Sequence, residues 1–206
     1  AIKSDGTIVI FQVRPIAANS KFHFLDDELI KENVRKCTDE YKNLCKSNIV
    51  LSDELFLSDM AFWNPAELIG DRPNYLDYSL FNHLIMKSVW NEALLPLGYT
   101  KVDGDLQVLI GGKPYVNVYN AFLSLLPAKL PLGIKTKLLN YYNNKLKRCP
   151  NLHDKIEFEI VHNCYRFDFE SVQGELVENG FSYIEIRKLK NNLRLLTNKI
   201  LNQFNK

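Results

Sequence analysis

Phe62-Trp-Asn-Pro-Ala-Glu-Leu-Ile-Gly-Asp-Arg-Pro-Asn-Tyr-Leu-Asp-Tyr-Ser-Leu-Phe81 writes two helix starts and one stop in about twenty residues. Asn64 can cap a helix through its side-chain oxygen. Pro65 suits the first helical position, where no amide donor is needed, and Glu67 occupies the capping-box position. Gly70 offers a left-handed stop. After Asp71-Arg72-Pro73 the pattern repeats, with Asn74 as cap and Asp77 three residues on. An apolar stripe follows at Leu76, Leu80 and Leu84, flanked by Phe81, Ile85 and Val89. The pattern predicts a one-turn helix, a tight corner and a long buried helix.

Around this corner lie 206 residues, enough to bury a substantial core, with 46% hydrophobic and 12% aromatic residues. The 26 basic and 24 acidic residues leave a net charge of +2, which argues against a nucleic-acid or membrane-surface role driven by bulk charge. The longest uncharged runs, such as 121–128, fall far short of the roughly 20 residues that span a bilayer. Ala1-Ile-Lys-Ser-Asp-Gly6 has no basic segment followed by an apolar one, so a soluble cytoplasmic protein is expected. Cys37, Cys45, Cys149 and Cys164 show no metal-site spacing and read as reduced core thiols.

Thr7 to Ile16 follows an Asp5-Gly6 turn and is rich in β-branched residues, predicting a strand over 7–14 ended by Pro15. Ile8, Ile10, Gln12 and Arg14 share one face of it. Asp5-Gly-Thr-Ile-Val-Ile-Phe-Gln-Val-Arg-Pro-Ile16 resembles the closing strand of the ATP-grasp nucleotide-binding domain of the phosphoenolpyruvate (PEP) synthase, pyruvate phosphate dikinase and rifampicin phosphotransferase family, with its Gln-x-Arg-Pro signature. Asp59-Met-Ala-Phe-Trp-Asn-Pro-Ala-Glu-Leu-Ile-Gly-Asp-Arg-Pro73 and the 106–127 segment look like the region after that domain in a PEP-synthase-like subgroup.

The resemblance implies that Gln12 corresponds to a magnesium ligand and Arg14 to a contact for the nucleotide phosphates. An amide oxygen is a hard ligand for Mg²⁺, and a guanidinium fork grips phosphate. It also implies that residues 1–16 are the last strand of a truncated nucleotide domain. Residues 17–206 then form a helical linking or acceptor-side domain. No glycine-rich phosphate loop and no Gly-Gly-x-Thr-x-His carrier segment is present. Catalytic residues are therefore expected elsewhere in a parent kinase-type transferase that uses ATP and Mg²⁺, and this stretch alone is expected to be inactive and to bind neither. Its partners would be the other domains of its own chain.

Phe22 to Lys46 predicts a helix with a core-facing stripe of Ile30, Val34, Cys37, Tyr41, Leu44 and Cys45. Leu106 to Tyr119, around Gly111-Gly112, predicts a hairpin over 106–120, with Pro114 at a sheet edge or a bulge. Ile134, Leu138, Tyr141, Tyr142 and Leu146 define a helix ending near Cys149-Pro150, whose Lys135, Lys137, Lys145, Lys147 and Arg148 could meet an anion or, more simply, form a solvated basic face. Lys155 to Cys164 alternates and predicts a strand that sets Glu157 and Glu159 on one face and His162 on the other. That spacing would suit an acid/base pair or a shared cation, or simply an exposed acidic edge. Ser171 to Gly180 is a short helix. Ile186, Leu189, Leu193, Leu196, Ile200 and Phe204 form a seam that needs a partner surface.

The expected fold is α+β, predominantly helical, with a small antiparallel sheet from the 106–120 hairpin and strand 155–164, plus strand 7–14. The expected function is that of an internal segment of a PEP-synthase-like phosphotransferase. Asn64 and Arg72 at the corner are the candidate lining of the acceptor site, since helix starts present free amides to anions. The alternatives are a scaffold module that docks a partner through the C-terminal helix and a hydrolase built on Glu157, Glu159 and His162.

Overall fold

The computed structural model describes residue 6 and residues 26–47, 55–59, 65–162 and 168–204. Two units divide the chain, 1–34 and 35–206. The first contains the opening of helix α1 (Asp27–Ser47), where the Asp26 carboxylate accepts from Glu28 N at 3.2 Å and Glu28 pairs with Lys31 at 2.8 Å. Acidic residues in a first turn oppose the positive end of the helix dipole. The helix begins at Asp27, where acidic residues suit a helix N-terminus, and its stripe is poorly covered. Ile30 and Val34 are exposed, while Cys37, Leu44 and Cys45 in the second unit are half-buried. The strand expected over 7–14 lies outside the described residues.

The second unit is helical around a three-stranded antiparallel sheet of order β1-β3-β2, with β1 Leu57–Ser58, β2 Gln107–Ile110 and β3 Lys113–Asn117. The α+β, predominantly helical class is therefore observed. Ile110 pairs with Lys113 across Gly111 and Gly112, whose φ values of +57° and +78° give the primed two-residue turn that matches strand twist. Pro114 is not on an edge strand, because β3 is the central one. It sits opposite Leu109, while β1 pairs only with Val116 and Asn117, so its missing donor interrupts no rung among the described residues.

The sheet differs from expectation in its third member. Residues 156–162 form helix α7 (Ile156–His162), and the third strand is β1. Ile156 and Ile160 fit a two-residue and a four-residue repeat equally, and burial decides between them. They are 1% and 3% exposed, while Phe158, which a strand would bury beside them, is 57% exposed.

The corner follows the sequence closely. Helix α2 (Pro65–Ile69) is followed by Gly70 at φ +88°. Helix α3 (Tyr75–Phe81) is capped by Asn74, whose Oδ1 accepts from Asp77 N at 2.9 Å and whose Nδ2 donates to Asp77 Oδ2 at 2.6 Å. The long helix beyond is broken: a π-helical turn, Asn82–Met86, leads through Lys87 to α4 (Ser88–Leu94). It buries part of the flank of the expected stripe rather than its centre. Leu76, Leu80 and Leu84 are 63%, 47% and 57% exposed, while Phe81 and Met86 are buried and Ile85, Trp90 and Leu94 pack against the core. The extra residue in the π turn rotates the helix beyond it, so a strict i+4 stripe does not persist through the turn.

At the centre lies α5 (Val118–Ser124), with every residue buried. A helix apolar all round belongs inside a protein. Asn120 N donates to Asn117 Oδ1 at 3.3 Å and Ser124 Oγ accepts from Trp90 Nε1 at 2.9 Å, while the buried Tyr119 hydroxyl makes no hydrogen bond. Around it pack α6 (Leu132–Arg148), α7, α8 (Phe169–Glu178) and α9 (Tyr183–Phe204). Phe122 meets Tyr142 edge-on at 6.1 Å between centroids. Of the α9 seam, Ile186, Leu189, Leu193 and Leu196 are buried within the chain and Ile200 is half-buried. Among the described residues no helix is long and apolar enough to cross a membrane.

Candidate functional site

Of the residues expected to form a site, only Arg72 is among those the structure describes. Gln12, Arg14 and Asn64 lie outside the described residues. Arg72 is exposed at the corner, and among the described residues no hydrogen bond or ion pair joins it to Asp71. The organised charge there is a step away. Lys113, beside the hairpin turn, binds Asp59 directly, and that bond holds the ammonium pKa above and the carboxyl pKa below their ordinary values. This pair anchors the end of β1, and with it the start of the Asp59 to Pro73 stretch, to β3.

Glu157 and Glu159 do not share a face. Two residues on a helix turn through about 200°, so the acid/base pair and the hydrolase reading are lost with the strand. Glu157 is half-buried, its Oε2 makes no hydrogen bond, and burial raises its carboxyl pKa, with the charge of Asp154 adding to the effect. His153 is occupied by the carbonyl of Pro150 at 2.8 Å from Nδ1. His162 is the last residue of α7.

Glu159 turns instead to Lys145 of α6. The Lys145 ammonium lies 2.6 Å from Glu159 Oε1, 3.0 Å from Glu175 Oε1 on α8 and 3.3 Å from the Tyr141 hydroxyl. Burial alone lowers the ammonium pKa, but the two carboxylates outweigh it and the net shift is upward. Burial pushes the Tyr141 phenol far above its usual range, and Glu175 pushes it further. All three ammonium protons have acceptors, and the raised pKa keeps them in place at neutral pH. Such a lysine is neither a nucleophile nor a base. It cross-links three helices, where the sequence pattern suggested a solvated face.

Two of its neighbours on α6 are also not simply solvated. Lys137 reaches Glu185 at 2.8 Å, and Lys135 is buried with its Nζ 3.0 Å from Ala128 O. The thiols are free, with Cys37 and Cys45 half-buried but Cys149 exposed rather than in the core; Cys164 lies outside the described residues. Among the described residues no three His, Cys, Asp or Glu side chains are placed to hold a metal ion.

A cleft of about 300 Å³ opens between the turn after α4, the turn between α5 and α6, and α9. Asn192, Leu195, Leu196 and Lys199 supply its α9 wall at one-face helical spacing. Tyr99 bridges Pro127 across the two turns. Thr100 N donates to Leu126 O and Ala128 N to Gly98 O, each at 2.9 Å. No motif announces this cleft, since its walls come from three segments far apart in sequence. Comparison of the chain with protein-family models, curated proteins and solved structures returns no match.

Proposed function

We propose that this chain is an internal segment of an ATP-dependent, PEP-synthase-like phosphotransferase, linking a nucleotide-binding domain to later domains in the cytoplasm. The observation that carries the reading is the order of two resembling stretches, Gln12-Val-Arg-Pro15 followed by Asp59 to Pro73. The fold is compatible with it in one respect. The second stretch is built into the helical unit by β1, by the Asp59 to Lys113 bond and by the buried Pro65, as expected of a segment that fixes domain geometry. Contacts to Mg²⁺ and to the nucleotide phosphates are assigned to Gln12 and Arg14 by resemblance, and catalysis to other domains. Arg72, exposed at the corner, remains the candidate lining of an acceptor site.

The test is to capture the native polypeptide with antibodies raised against residues 65–204 and sequence it by mass spectrometry. A longer chain is expected, with glycine-rich nucleotide-binding sequence before Ala1 and a phosphorylatable histidine after Lys206. A mature chain bounded by Ala1 and Lys206 overturns the reading. In a second measurement, calorimetry of the 206-residue chain with Mg-ATP is expected to show no saturable heat and no hydrolysis. Tight binding would mean that the nucleotide site extends into these residues.

A further inference from the structure

The cleft between the two turns and α9 has walls tied to one another before any ligand arrives. Besides the bonds between the turns, Gln203 Nε2 reaches from α9 to Pro96 O at 3.0 Å. Pre-organised walls lower the entropic cost of binding. At about 300 Å³ the space is at the small end of ligand sites. Its floor is apolar, with Tyr99 and Leu196 each 5% exposed.

The charged groups that line this cleft are all cationic. Three rim carbonyls already have donors: Pro96 O from Gln203, Gly98 O from Ala128 N, and Ala128 O from the Lys135 ammonium. Lys129 and Lys199 also line the cleft, and among the described residues neither has a carboxylate partner. Lys199 is drawn inward. Its Nζ would stand 3.6 Å from a Cβ placed on Gly98, so the ammonium lies over the turn. The surrounding helices reinforce the sign. In a chain of net charge +2, α6 carries no acid and five lysines and arginines, of which Lys137 and Lys145 are paired with Glu185, Glu159 and Glu175, and α9 carries five with the single acid Glu185. Lys135 is a buried ammonium at the opening of α6, close to the positive end of the helix dipole, which is an unfavourable place for a cation unless negative charge comes near.

We infer that this cleft binds a small amphipathic monoanion, its carboxylate between Lys129 and Lys199 and its hydrocarbon body on Tyr99 and Leu196. A hydrated phosphate would leave the floor unused, and a neutral hydrocarbon would gain nothing from the two ammonium groups. The site is independent of the phosphotransferase reading and stands if that reading fails.

The probe is octanoate, titrated into the 206-residue chain by calorimetry at low salt, with octanol and inorganic phosphate as the two halves of its chemistry. Octanoate is expected to saturate one site at least tenfold more tightly than either. Lys129→Gln with Lys199→Gln, two exposed positions, should weaken octanoate at least tenfold, to the level of octanol, with an unchanged melting temperature. Leu195→Asn at the exposed mouth should weaken octanoate and octanol alike. Equal affinity for octanol and octanoate, octanoate affinity retained in the double variant, or heat that never saturates would each overturn the assignment.

Discussion

Lys145 and Glu159 hold α6 and α7 together through a 2.6 Å bond whose two side chains are only 23% and 24% exposed. At that degree of burial the bond is poorly screened by solvent, and removing one partner leaves the other charged and largely desolvated. Lys145→Met should therefore cost about 2 kcal/mol in denaturant unfolding at neutral pH. Glu175→Gln should cost less than about 1 kcal/mol, since Glu175 is 42% exposed. The Lys145 pKa is raised above 10.5, so its contribution is complete below that value and is lost only as pH climbs through the higher folded-state value. Equal costs for the two variants would show that the ion pairs are not ranked by burial.

Acid should act at the start of α9. Ser182 N and Oγ each donate to Glu185 Oε2 at 2.9 Å, and Glu185 N reaches back to Ser182 Oγ at 3.3 Å, forming a reciprocal cap. With Lys137 as the largest cause and Ser182 next, the Glu185 carboxyl falls from 4.5 to about 2. A depressed carboxyl stabilises the fold above its unfolded pKa and loses that contribution as pH falls toward the folded value. Melting temperature should thus decline between about pH 5 and pH 2, and Glu185→Gln should flatten that decline while costing about 1 kcal/mol at pH 7. An unchanged acid limb in the variant would exclude this carboxylate as its source.

The two turn glycines are not equivalent. A Cβ on Gly111 would meet Cys37 Sγ at 2.8 Å, while one on Gly112 meets nothing within 4 Å. Both positions carry the left-handed penalty of about 1–2 kcal/mol for an L side chain. Only Gly111→Ala also crowds α1, so that either the Cys37 side chain or the hairpin tip must shift, the latter stretching the bond from Gly111 N to Glu40 Oε2 at 2.9 Å. Gly111→Ala should melt at a lower temperature than Gly112→Ala, and the second substitution Cys37→Ala should restore part of the difference.

Asn91 does for Val102 what a neighbouring strand would do. Its Nδ2 donates to Val102 O at 2.8 Å and its Oδ1 accepts from Val102 N at 3.0 Å. Val102 is 5% exposed, so Asn91→Ala orphans two backbone groups beside the core, at about 1–3 kcal/mol each. Amide hydrogen exchange at Val102 should speed up by more than the global loss of stability explains. If it tracks global unfolding, water has replaced the side chain.

Where one residue type answers a local geometric need, the sequence was legible. Asn74, the Gly111-Gly112 pair and the α9 seam all do what their chemistry suggests. Burial on every side erases periodicity, so α5 could not be told from the tail of a strand. Leu76, Leu80 and Leu84 formed as good a stripe as Phe81, Ile85 and Trp90, and only the π turn and the packing chose between them. Glu157 and Glu159 followed the strand into error. Lys145 looked solvated because its two carboxylates arrive from α7 and α8. Of the expected site only Arg72 falls among the described residues, and it is exposed there.

The seven residues of α5 are too few to hold a helix in water by themselves. They gain their shape only when sheet and surrounding helices have already assembled, and those in turn have nothing to close upon until they arrive. Neither can melt first and leave the other standing. The body from 65 onward should consequently lose its structure in a single step, with tryptophan emission and far-ultraviolet dichroism tracing the same curve.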